Sequence, residues 1–428
     1  MRDLVVDPLE DRDGILHLGG VSAMELADRY GTPLYAIDED RIRANYRRIE
    51  GAFRRRYTNT RVHYAVKANT NLAVLSILRQ EGAGADCSCP AEIDFARRAG
   101  FPSEDILYTG AYPSREEMAF ACDAGVMINL DSEARLDEVA ARDPKPILSF
   151  RVNPGPGKGK HGLVFAGPDA KFGLPPDQVV EAFRKAHKDG FERFGIHMMT
   201  GSCVLDPGYF PEVTSRLLEI AGAVVAEVGI AFDFVDIGGG FGVPYEPTEP
   251  PLPIDHVAGD TVEAFEAGCD TFSLGRPRLV LEPGRYLVCD AGVLLTRVQG
   301  LKRGRMTFVG VDAGMNTLLR PALYDAYHPV LAANRLRDAT DGPVMVVGPV
   351  CENTDVIARD RPLPALREGD VLAILNAGAY GFAMSSQYNN RPRAAEVLIH
   401  NGEHEVVRER EGFADLTHRQ RIPGRLFR

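Results

Sequence analysis

The sequence predicts a (β/α)8 TIM barrel followed by a C-terminal, mainly β domain. Eight β-prone runs alternate with amphipathic segments up to about residue 285, the later segments are mostly β-prone, and 45% of the 428 residues are apolar. A barrel of this kind takes about 250 residues, so the length allows a second domain. We expect an N-terminal segment, 1–35, that joins the β domain, a barrel at 36–285 and the β domain at 286–428.

The eight predicted strands are short apolar runs. They are VHYAVKA (62–68), GADCS (84–88), ILYTG (106–110), VMINL (126–130), ILSFRV (147–152), FGIHMM (194–199), FVDIGGG (234–240) and LVLEPG (279–284). Between them, segments such as NLAVLSILRQEG repeat apolar residues at three- and four-residue steps, which is typical of amphipathic helices. Eight such units favour a closed barrel. An open dinucleotide-binding sheet is disfavoured because KANT (67–70) is no glycine fingerprint.

The segments after residue 285 predict the second domain. They include YLVCDAGVLLTRVQGLK, MTFVGVDAG, PVMVVGPV, DVLAILNAG and AAEVLIHNGEHEVVRER. The early runs GILHLGG and TPLYAID precede the eight units, so they are free to join this β domain.

Composition excludes several classes of function. With 49 basic and 60 acidic residues the formal net charge is −11, which disfavours nucleic-acid and anionic-membrane partners. The acidic N-terminus resembles no secretory signal, and no apolar run reaches about 18 residues, so we expect a soluble, cytoplasmic protein. Seven cysteines argue against a disulfide framework. The one-residue spacing of Cys87 and Cys89 is not that of a zinc motif, so no metal is expected.

Catalytic groups of barrels lie at the carboxyl ends of the strands. Lys67 ends the first run among apolar neighbours, so it is either a solvated lysine or a nucleophile whose pKa is lowered by burial. The seventh run ends in the glycines 238–240, which form either a tight turn or a phosphate cradle. The eighth ends in Glu282-Pro283-Gly284-Arg285.

A lysine, a phosphate cradle and a carboxylate around one barrel mouth are the parts that hold pyridoxal 5'-phosphate. The lysine forms a Schiff base, and the carboxylate keeps the pyridine nitrogen protonated. The ring then accepts electrons when a bond at Cα breaks, which favours decarboxylation or racemisation.

Six motifs carry a resemblance to a known family. They are HYAVKAN (63–69), FVDIGGGFGVPY (234–245), EPGRYL (282–287), VDAGMNTLLRPALYDAYH (311–328), GPVCENTD (348–355) and NAGAYGFAMSSQYNNRPRAAEVL (376–398). In this order they resemble the motifs of diaminopimelate decarboxylases, alanine-racemase-like (fold type III) pyridoxal phosphate enzymes. The resemblance covers about residues 31–398.

The resemblance implies roles for the cofactor-binding residues. Lys67 would bind the cofactor covalently, and Glu282 would pair with its pyridine nitrogen. Asp86 and Arg151 would lie near the ring. The phosphate contacts would come from Ser202, Gly240, Gly284 and Tyr380, and Arg285 would lie beside them.

It also implies roles for substrate-binding residues. Arg285, Arg320 and Tyr324, with Tyr380 nearby, would bind the distal carboxylate, which a planar guanidinium matches in bidentate fashion. Glu352 would take the distal ammonium group, and Cys351 would protonate the carbanion. In the family these last two residues enter the site from the neighbouring subunit, so a homodimer with shared active sites is implied.

One motif departs from the family pattern. The sixth strand usually ends His-x-His-x-Gly-Ser, with the second His stacked on the cofactor, whereas here Met199 takes that position. A thioether packs on an aromatic face but donates no hydrogen bond. We expect His197 to be a packing residue, while Ser202 keeps its match.

The resemblance implies decarboxylation of meso-2,6-diaminopimelate to L-lysine and carbon dioxide, the last step of lysine biosynthesis. Alternatives are decarboxylation of ornithine, lysine, arginine, carboxynorspermidine or carrier-bound glutamate, and a non-catalytic homologue that binds pyridoxal phosphate. Glu352 beside Cys351, together with Arg320, favours a substrate with both charges at its far end. A racemase is disfavoured because no tyrosine motif facing Lys67 is recognisable.

Overall fold

The computed structural model describes residues 5, 7–155, 157–159, 166–167 and 169–426. Part of the acidic N-terminus considered above therefore lies outside the described residues. The described chain forms two compact units, one of Ile42–Pro244 and Thr248–Val288 and the other of residues within 1–41, 245–247 and 289–428. The domain limits expected at 35/36 and 285/286 stay a prediction.

The first unit contains a closed barrel of eight parallel strands. They are β1 (Thr60–Ala65), β2 (Gly84–Cys87), β3 (Ile106–Tyr108), β4 (Met127–Leu130), β5 (Leu148–Val152), β6 (Phe194–Met198), β7 (Phe232–Asp236) and β8 (Arg278–Leu281). Each strand pairs with the next along the chain, and β8 pairs with β1. The eight predicted runs are these strands, so the predicted fold class is confirmed.

A helix follows each barrel strand. These helices are Leu72–Glu81, Pro90–Arg98, Arg115–Asp123, Leu136–Ala140, Pro176–Lys188, Tyr209–Val228, Ile254–Thr271 and Arg285–Val288. The helix Glu39–Arg54 precedes β1, and short 3-10 turns lie at Val66–Ala68, Ser103–Asp105 and Glu133–Arg135. Side-chain caps fix where some of the barrel helices begin. Before Arg115–Asp123, for example, Ser114 and Glu117 form a reciprocal capping box that satisfies free backbone donors.

Packing inside the first unit holds the strands in register. Leu107, Met127, Phe234 and Val280, from four different strands, form one buried apolar cluster. The two-residue strands Lys158–Gly159 and Gly201–Ser202 pair beside the barrel. The strand ends are thereby fixed, which is what a site at their carboxyl ends requires.

The second unit is built on β-sheets. A three-stranded sheet contains Leu9–Arg12, Ile15–Leu18 and Val21–Ser22. A nine-stranded sheet runs in the order Val356–Pro364, Thr340–Val347, Thr307–Val311, Gly292–Arg303, Leu34–Asp38, Ala395–His400 and Glu403–Arg408, with Val371–Ile374 and Val330–Ala332 paired off this path. The helices are Ala23–Tyr30, Arg320–Tyr324 and Phe413–Thr417, and 3-10 turns lie at Phe382–Met384, Tyr388–Asn390 and Gly424–Leu426.

The central strands of the nine-stranded sheet are buried on both faces. In Leu34–Asp38, Leu34 and Ala36 pack in one apolar cluster whereas Tyr35 packs in the other. Successive side chains of a strand point to opposite faces, so two apolar layers cover the sheet. The early run TPLYAID supplies this strand, which pairs with Gly292–Arg303 and Ala395–His400.

Among the helices of the described residues, none has the length and apolar character needed to span a membrane.

Candidate active site

Lys67 lies in the 3-10 turn directly after β1. The turn is fixed by local hydrogen bonds: the Tyr64 hydroxyl donates to the carbonyl of Asn69 at 3.0 Å, and the Asn71 side chain accepts from the backbone of Ala73, which starts the next helix. The HYAVKAN motif and the Asn71 that follows it thus specify a capped exit from the strand. The Lys67 side chain is 42% exposed, which leaves its amine accessible to a ligand.

Asp86, at the end of β2, is the partner of this lysine. Its Oδ2 lies 2.5 Å from Lys67 Nζ, and its side chain is 1% exposed. Burial, and then the negative charge of Glu282, raise the pKa of Asp86, although Lys67 opposes both effects. Glu92 fixes the following turn by accepting hydrogen bonds from the Ser88 backbone and hydroxyl at 2.6 and 2.8 Å.

Glu282 follows β8 and is fully enclosed. Its Oε2 lies 3.0 Å from His197 Nε2, and both side chains are at most 4% exposed. Burial alone would raise the pKa of Glu282, but His197, Lys67 and His63 outweigh it and lower this pKa to about 2. His197 is buried as expected of a packing residue, but it also donates to Glu282, a contact that the strand pattern did not predict.

The glycine turn after β7 takes a conformation that only glycine adopts readily. Gly238 and Gly240 have φ values of +73° and +93°, and a Cβ at Gly239 would lie 2.3 Å from the Glu282 carbonyl oxygen. The Gly239 amide donates to Met199 Sδ at 3.3 Å, so the thioether lies against this turn. The backbone of this turn therefore runs close to Glu282, the residue that follows β8.

Three further predicted residues lie around these strand ends. Ser202 is half-buried in its two-residue strand. A Cβ added at Gly284 would lie 3.1 Å from the Cβ atoms of Ala65 and Ala68, beside Lys67. Arg285 is buried, at 9% exposure, at the start of the last barrel helix.

Arg151, near the end of β5, is held in place by contacts of its guanidinium group. Its guanidinium donates to the Met199 carbonyl at 3.3 Å, lies 4.4 Å from the Phe172 ring centroid and 3.9 Å from Asp131. Burial lowers the pKa of Arg151. The structure thus brings Arg151 to the barrel mouth within a network that also orients the segment carrying Met199.

The second unit carries the other predicted residues. Arg320 begins the helix Arg320–Tyr324 and is 6% exposed; its guanidinium lies 5.2 Å from the Tyr245 ring centroid. Its Nε has no hydrogen-bond partner among the described residues. A buried cation of this kind is suited to an anionic ligand. Tyr324 and Tyr380 are half-buried, and Tyr380 has a φ of +56°.

Cys351 lies in a turn that is held by several hydrogen bonds. The buried Asp355 carboxylate accepts backbone hydrogen bonds from Val350 at 2.6 Å and Met315 at 2.5 Å, and the Cys351 amide donates to the Asn389 side chain at 2.7 Å. Of the seven cysteines, all in the described residues and all free, Cys351 is the exposed one. Glu352 is exposed beside it.

The predicted site residues form one set in each unit. The barrel set surrounds the carboxyl ends of the strands: Lys67, Asp86, Arg151, Ser202, Gly240, Glu282, Gly284 and Arg285. The other unit carries Arg320, Tyr324, Cys351, Glu352 and Tyr380.

Sequence reasoning missed two buried residues of the barrel. His63 points from β1 against Gly84, where an added Cβ would lie 2.4 Å from its ring, and burial lowers its pKa to about 4. Asp236 ends β7 and accepts the Gly238 amide at 2.8 Å. Its place two residues before three consecutive glycines was the available signal, because a carboxylate there can accept the first glycine amide.

Comparison with known proteins identifies the class. Residues 39–289 match the family model for the pyridoxal-binding domain of pyridoxal-dependent decarboxylases. The chain is 51% identical to a diaminopimelate decarboxylase of Methanothermobacter thermautotrophicus, over 97% of both chains, and 41% identical to one of Archaeoglobus fulgidus, over 96% of this chain and 98% of that one. A crystal structure of the M. jannaschii diaminopimelate decarboxylase with L-lysine superposes with a TM-score of 0.90 at 33% identity, covering 98% of this chain and 99% of that one.

The chain belongs to the diaminopimelate decarboxylase family of pyridoxal-dependent decarboxylases. This confirms the resemblance seen in the six motifs and the expected cofactor, pyridoxal phosphate.

Proposed function

We propose that the protein removes the carboxyl group at the D-configured centre of meso-2,6-diaminopimelate, giving L-lysine and carbon dioxide as the last step of lysine biosynthesis. The convergence of Lys67, a glycine turn and the buried Glu282 at one end of the barrel carries this proposal. The relatives named as diaminopimelate decarboxylases support the choice of substrate.

The barrel residues fit pyridoxal phosphate. The glycines at 238–240 let this turn run close to neighbouring backbone, because an added Cβ at each position would lie 2.2–2.9 Å from a backbone oxygen, and glycine turns of this kind can form a backbone concavity suited to a phosphate group. Lys67 offers a partly exposed amine, and Glu282 offers a carboxylate whose pKa is lowered to about 2, so it carries the negative charge that a protonated pyridine nitrogen requires. The phosphate would be held by Ser202, Gly240, Gly284 and Tyr380.

Pyridoxal phosphate, when bound, supplies an electron sink for the electron pair that a departing carboxylate leaves at Cα. The protein's part begins at Lys67, which must release a proton from Nζ to bind the cofactor. Asp86 Oδ2 lies 2.5 Å away, and its pKa is raised by burial, so it is placed to accept that proton. Arg151 would stay at the edge of the ring, oriented by its contacts to Met199 and Phe172.

The substrate has an ammonium group and a carboxylate at its far end, and the second unit carries residues of matching charge. Arg320, buried with an unpartnered Nε, would bind the distal carboxylate together with Arg285, Tyr324 and Tyr380. Glu352 would bind the distal ammonium group. Both charges would have to be matched at once, and this requirement would select against substrates that lack one of them.

Cys351 would deliver the proton that replaces carbon dioxide at Cα. The exposure of Cys351 and the hydrogen-bonded turn around it support this role, because a proton donor must be accessible and held in place. We propose a homodimer in which Cys351 and Glu352 of one subunit complete the site of the other.

The remaining parts of the proposal concern domains and location. We propose that 36–285 acts as the cofactor domain, and that 286–428 with residues 1–35 acts as the domain of substrate and dimer contacts. Seven free cysteines support a reducing compartment, so we propose the cytoplasm.

The test is a substrate panel with the purified, cofactor-loaded enzyme. Carbon dioxide release is measured with meso-diaminopimelate, L-lysine, L-ornithine and L-arginine under equal conditions. We expect turnover with meso-diaminopimelate and no more than traces with the others. Turnover of a diamine-forming substrate in place of diaminopimelate would reject the assignment.

A further inference from the structure

Two buried carboxyl groups, Asp236 and Glu282, lie close together at the carboxyl ends of the neighbouring strands β7 and β8. Asp236 accepts the Gly238 amide through Oδ1 at 2.8 Å, whereas its Oδ2 has no hydrogen-bond donor among the described residues. Glu282 accepts from His197 through Oε2, whereas its Oε1 likewise has no donor. Each carboxyl group is thus satisfied on one oxygen and unsatisfied on the other.

These groups are close together. One polar atom from each of His197, Asp236 and Glu282 lies within 4.8 Å of the other two, and Asp236 and Glu282 are 0% and 5% exposed. Two charged carboxylates this close, out of contact with water, repel strongly, so one of them takes up a proton. A proton between the two unsatisfied oxygens would remove the repulsion and supply the missing donor.

We propose that Asp236 Oδ2 and Glu282 Oε1 share one proton, so that the pair carries a single negative charge and Asp236 is a positioning residue that donates an O–H hydrogen bond to Glu282.

The surrounding charges decide which residue holds the proton. Glu282 is faced by His197, Lys67 and His63, which outweigh its burial and lower its pKa. For Asp236, burial and then the charge of Glu282 raise the pKa well above its ordinary value; Asp86 and a side-chain hydrogen bond with Glu282 add to this effect, and the Gly238 amide opposes it. The proton therefore resides mainly on Asp236, and Glu282 keeps the charge.

The shared proton connects the glycine turn after β7 to Glu282 after β8. Asp236 holds the glycine turn through Oδ1 and Glu282 through Oδ2, while His197 holds the other oxygen of Glu282. Glu282 is then oriented by two donors without losing its charge. Its use toward a pyridine nitrogen rests on the proposed function, but the shared proton does not.

The test is infrared spectroscopy of the holoenzyme at neutral pH, recorded in H2O and D2O. A protonated carboxyl group gives a carbonyl band above the amide region. We expect such a band in the wild type, its loss in Asp236→Asn, and no change in Glu92→Gln, a control at a buried carboxylate that already accepts from two donors. Persistence of the whole band in Asp236→Asn, or its absence from the wild type, would overturn the proposal.

Kinetics supply a second readout. The amide of Asp236→Asn still donates a hydrogen bond, so kcat should stay within about threefold of wild type. Asp236→Ala removes the donor to a charged group and should lower kcat by about tenfold or more. If the asparagine variant is as impaired as the alanine variant, Asp236 acts through a negative charge and the proposal is wrong.

Two further measurements keep the test decisive. Should Asp236→Asn fail to fold, Glu282→Gln replaces it. The new amide donates a hydrogen bond to Asp236, which then ionises, so the carbonyl band must disappear.

His197, Asp236 and Glu282 could also hold a divalent cation. One metal ion per subunit that is lost in Asp236→Asn would contradict a shared proton. An intact band in an enzyme inactive on diaminopimelate would reject the proposed function and leave the shared proton standing.

Discussion

Lys67 shows how much of the site is set by short stretches of sequence. Its turn is held by Tyr64 and Asn69, both within the HYAVKAN motif, and by Asn71, which lies two residues after it, so a strand exit carrying a lysine could be predicted from the sequence. The partner Asp86 lies 19 residues away on the next strand, and the barrel fold was enough to place it nearby. His197 was read only as a packing residue because its contact, Glu282, lies 85 residues further along the chain.

At the residue scale, we predict that Lys67→Ala abolishes the near-visible absorption of bound pyridoxal phosphate and reduces activity to background. The reason is that Lys67 supplies the amine that follows β1 at the barrel mouth. Lys185→Ala, which removes an ion pair with Asp137 and touches no predicted site residue, is the control and should keep the absorption. An unchanged spectrum in Lys67→Ala, after dialysis to remove free cofactor, would show that Lys67 does not bind the cofactor covalently.

The turn around Cys351 is the clearest case at the scale of an element. The motifs at 311–328 and 348–355 are far apart in sequence, yet Asp355 binds the backbone of both, and added Cβ atoms at Gly314 and Gly348 would lie within 3.0 Å of its carboxylate. The sequence indicated that the two motifs belong to the site. It could not show that one buried carboxylate joins them, because that depends on how the sheet brings the turns together.

We predict that Asp355→Ala destabilises the protein by about 1–3 kcal/mol, since it leaves two backbone amides without an acceptor. The turn carrying Cys351 would loosen, so kcat should fall about tenfold or more while the absorption of the bound cofactor stays unchanged. Denaturant unfolding and steady-state kinetics measure the two effects, with the exposed Asp341→Asn as control. Wild-type kcat in a destabilised Asp355→Ala protein would mean that the turn does not position Cys351.

At the scale of the whole molecule, the eight-strand alternation and the later β-prone segments predicted the architecture. The pairing of Leu34–Asp38 in the middle of the nine-stranded sheet was open in the sequence, because a strand pattern does not identify a distant partner. The predicted site residues up to Arg285 lie in the barrel unit and those from Arg320 onward lie in the other unit.

The proposed shared site predicts complementation. Lys67→Ala and Cys351→Ala homodimers should each be inactive, whereas mixed dimers contain one site with both residues intact. Random exchange of subunits in a two-fold dimer should restore about a quarter of the wild-type activity. Mass spectrometry of isotopically labelled subunits verifies exchange. No recovery after complete exchange would mean that each site is built from a single chain.

The buried His63 predicts a pH-dependent stability. Burial lowers its pKa from 6.5 to about 4, so the unfolded state binds more protons between these values and stability falls as the pH drops from about 6.5 toward 4. The stability advantage of the wild type over His63→Gln should shrink by about 2 kcal/mol between pH 7 and pH 5. Denaturant unfolding of both proteins at the two pH values measures this, and a constant difference would contradict a neutral buried His63.

The central claim is tested most directly by the products formed from meso-2,6-diaminopimelate. Carbon dioxide and lysine are quantified in one reaction, and the lysine is resolved by chiral chromatography. The account predicts equal amounts of carbon dioxide and L-lysine, and no D-lysine, because only the D-configured centre reacts. Release of D-lysine, or of carbon dioxide without lysine, would contradict it.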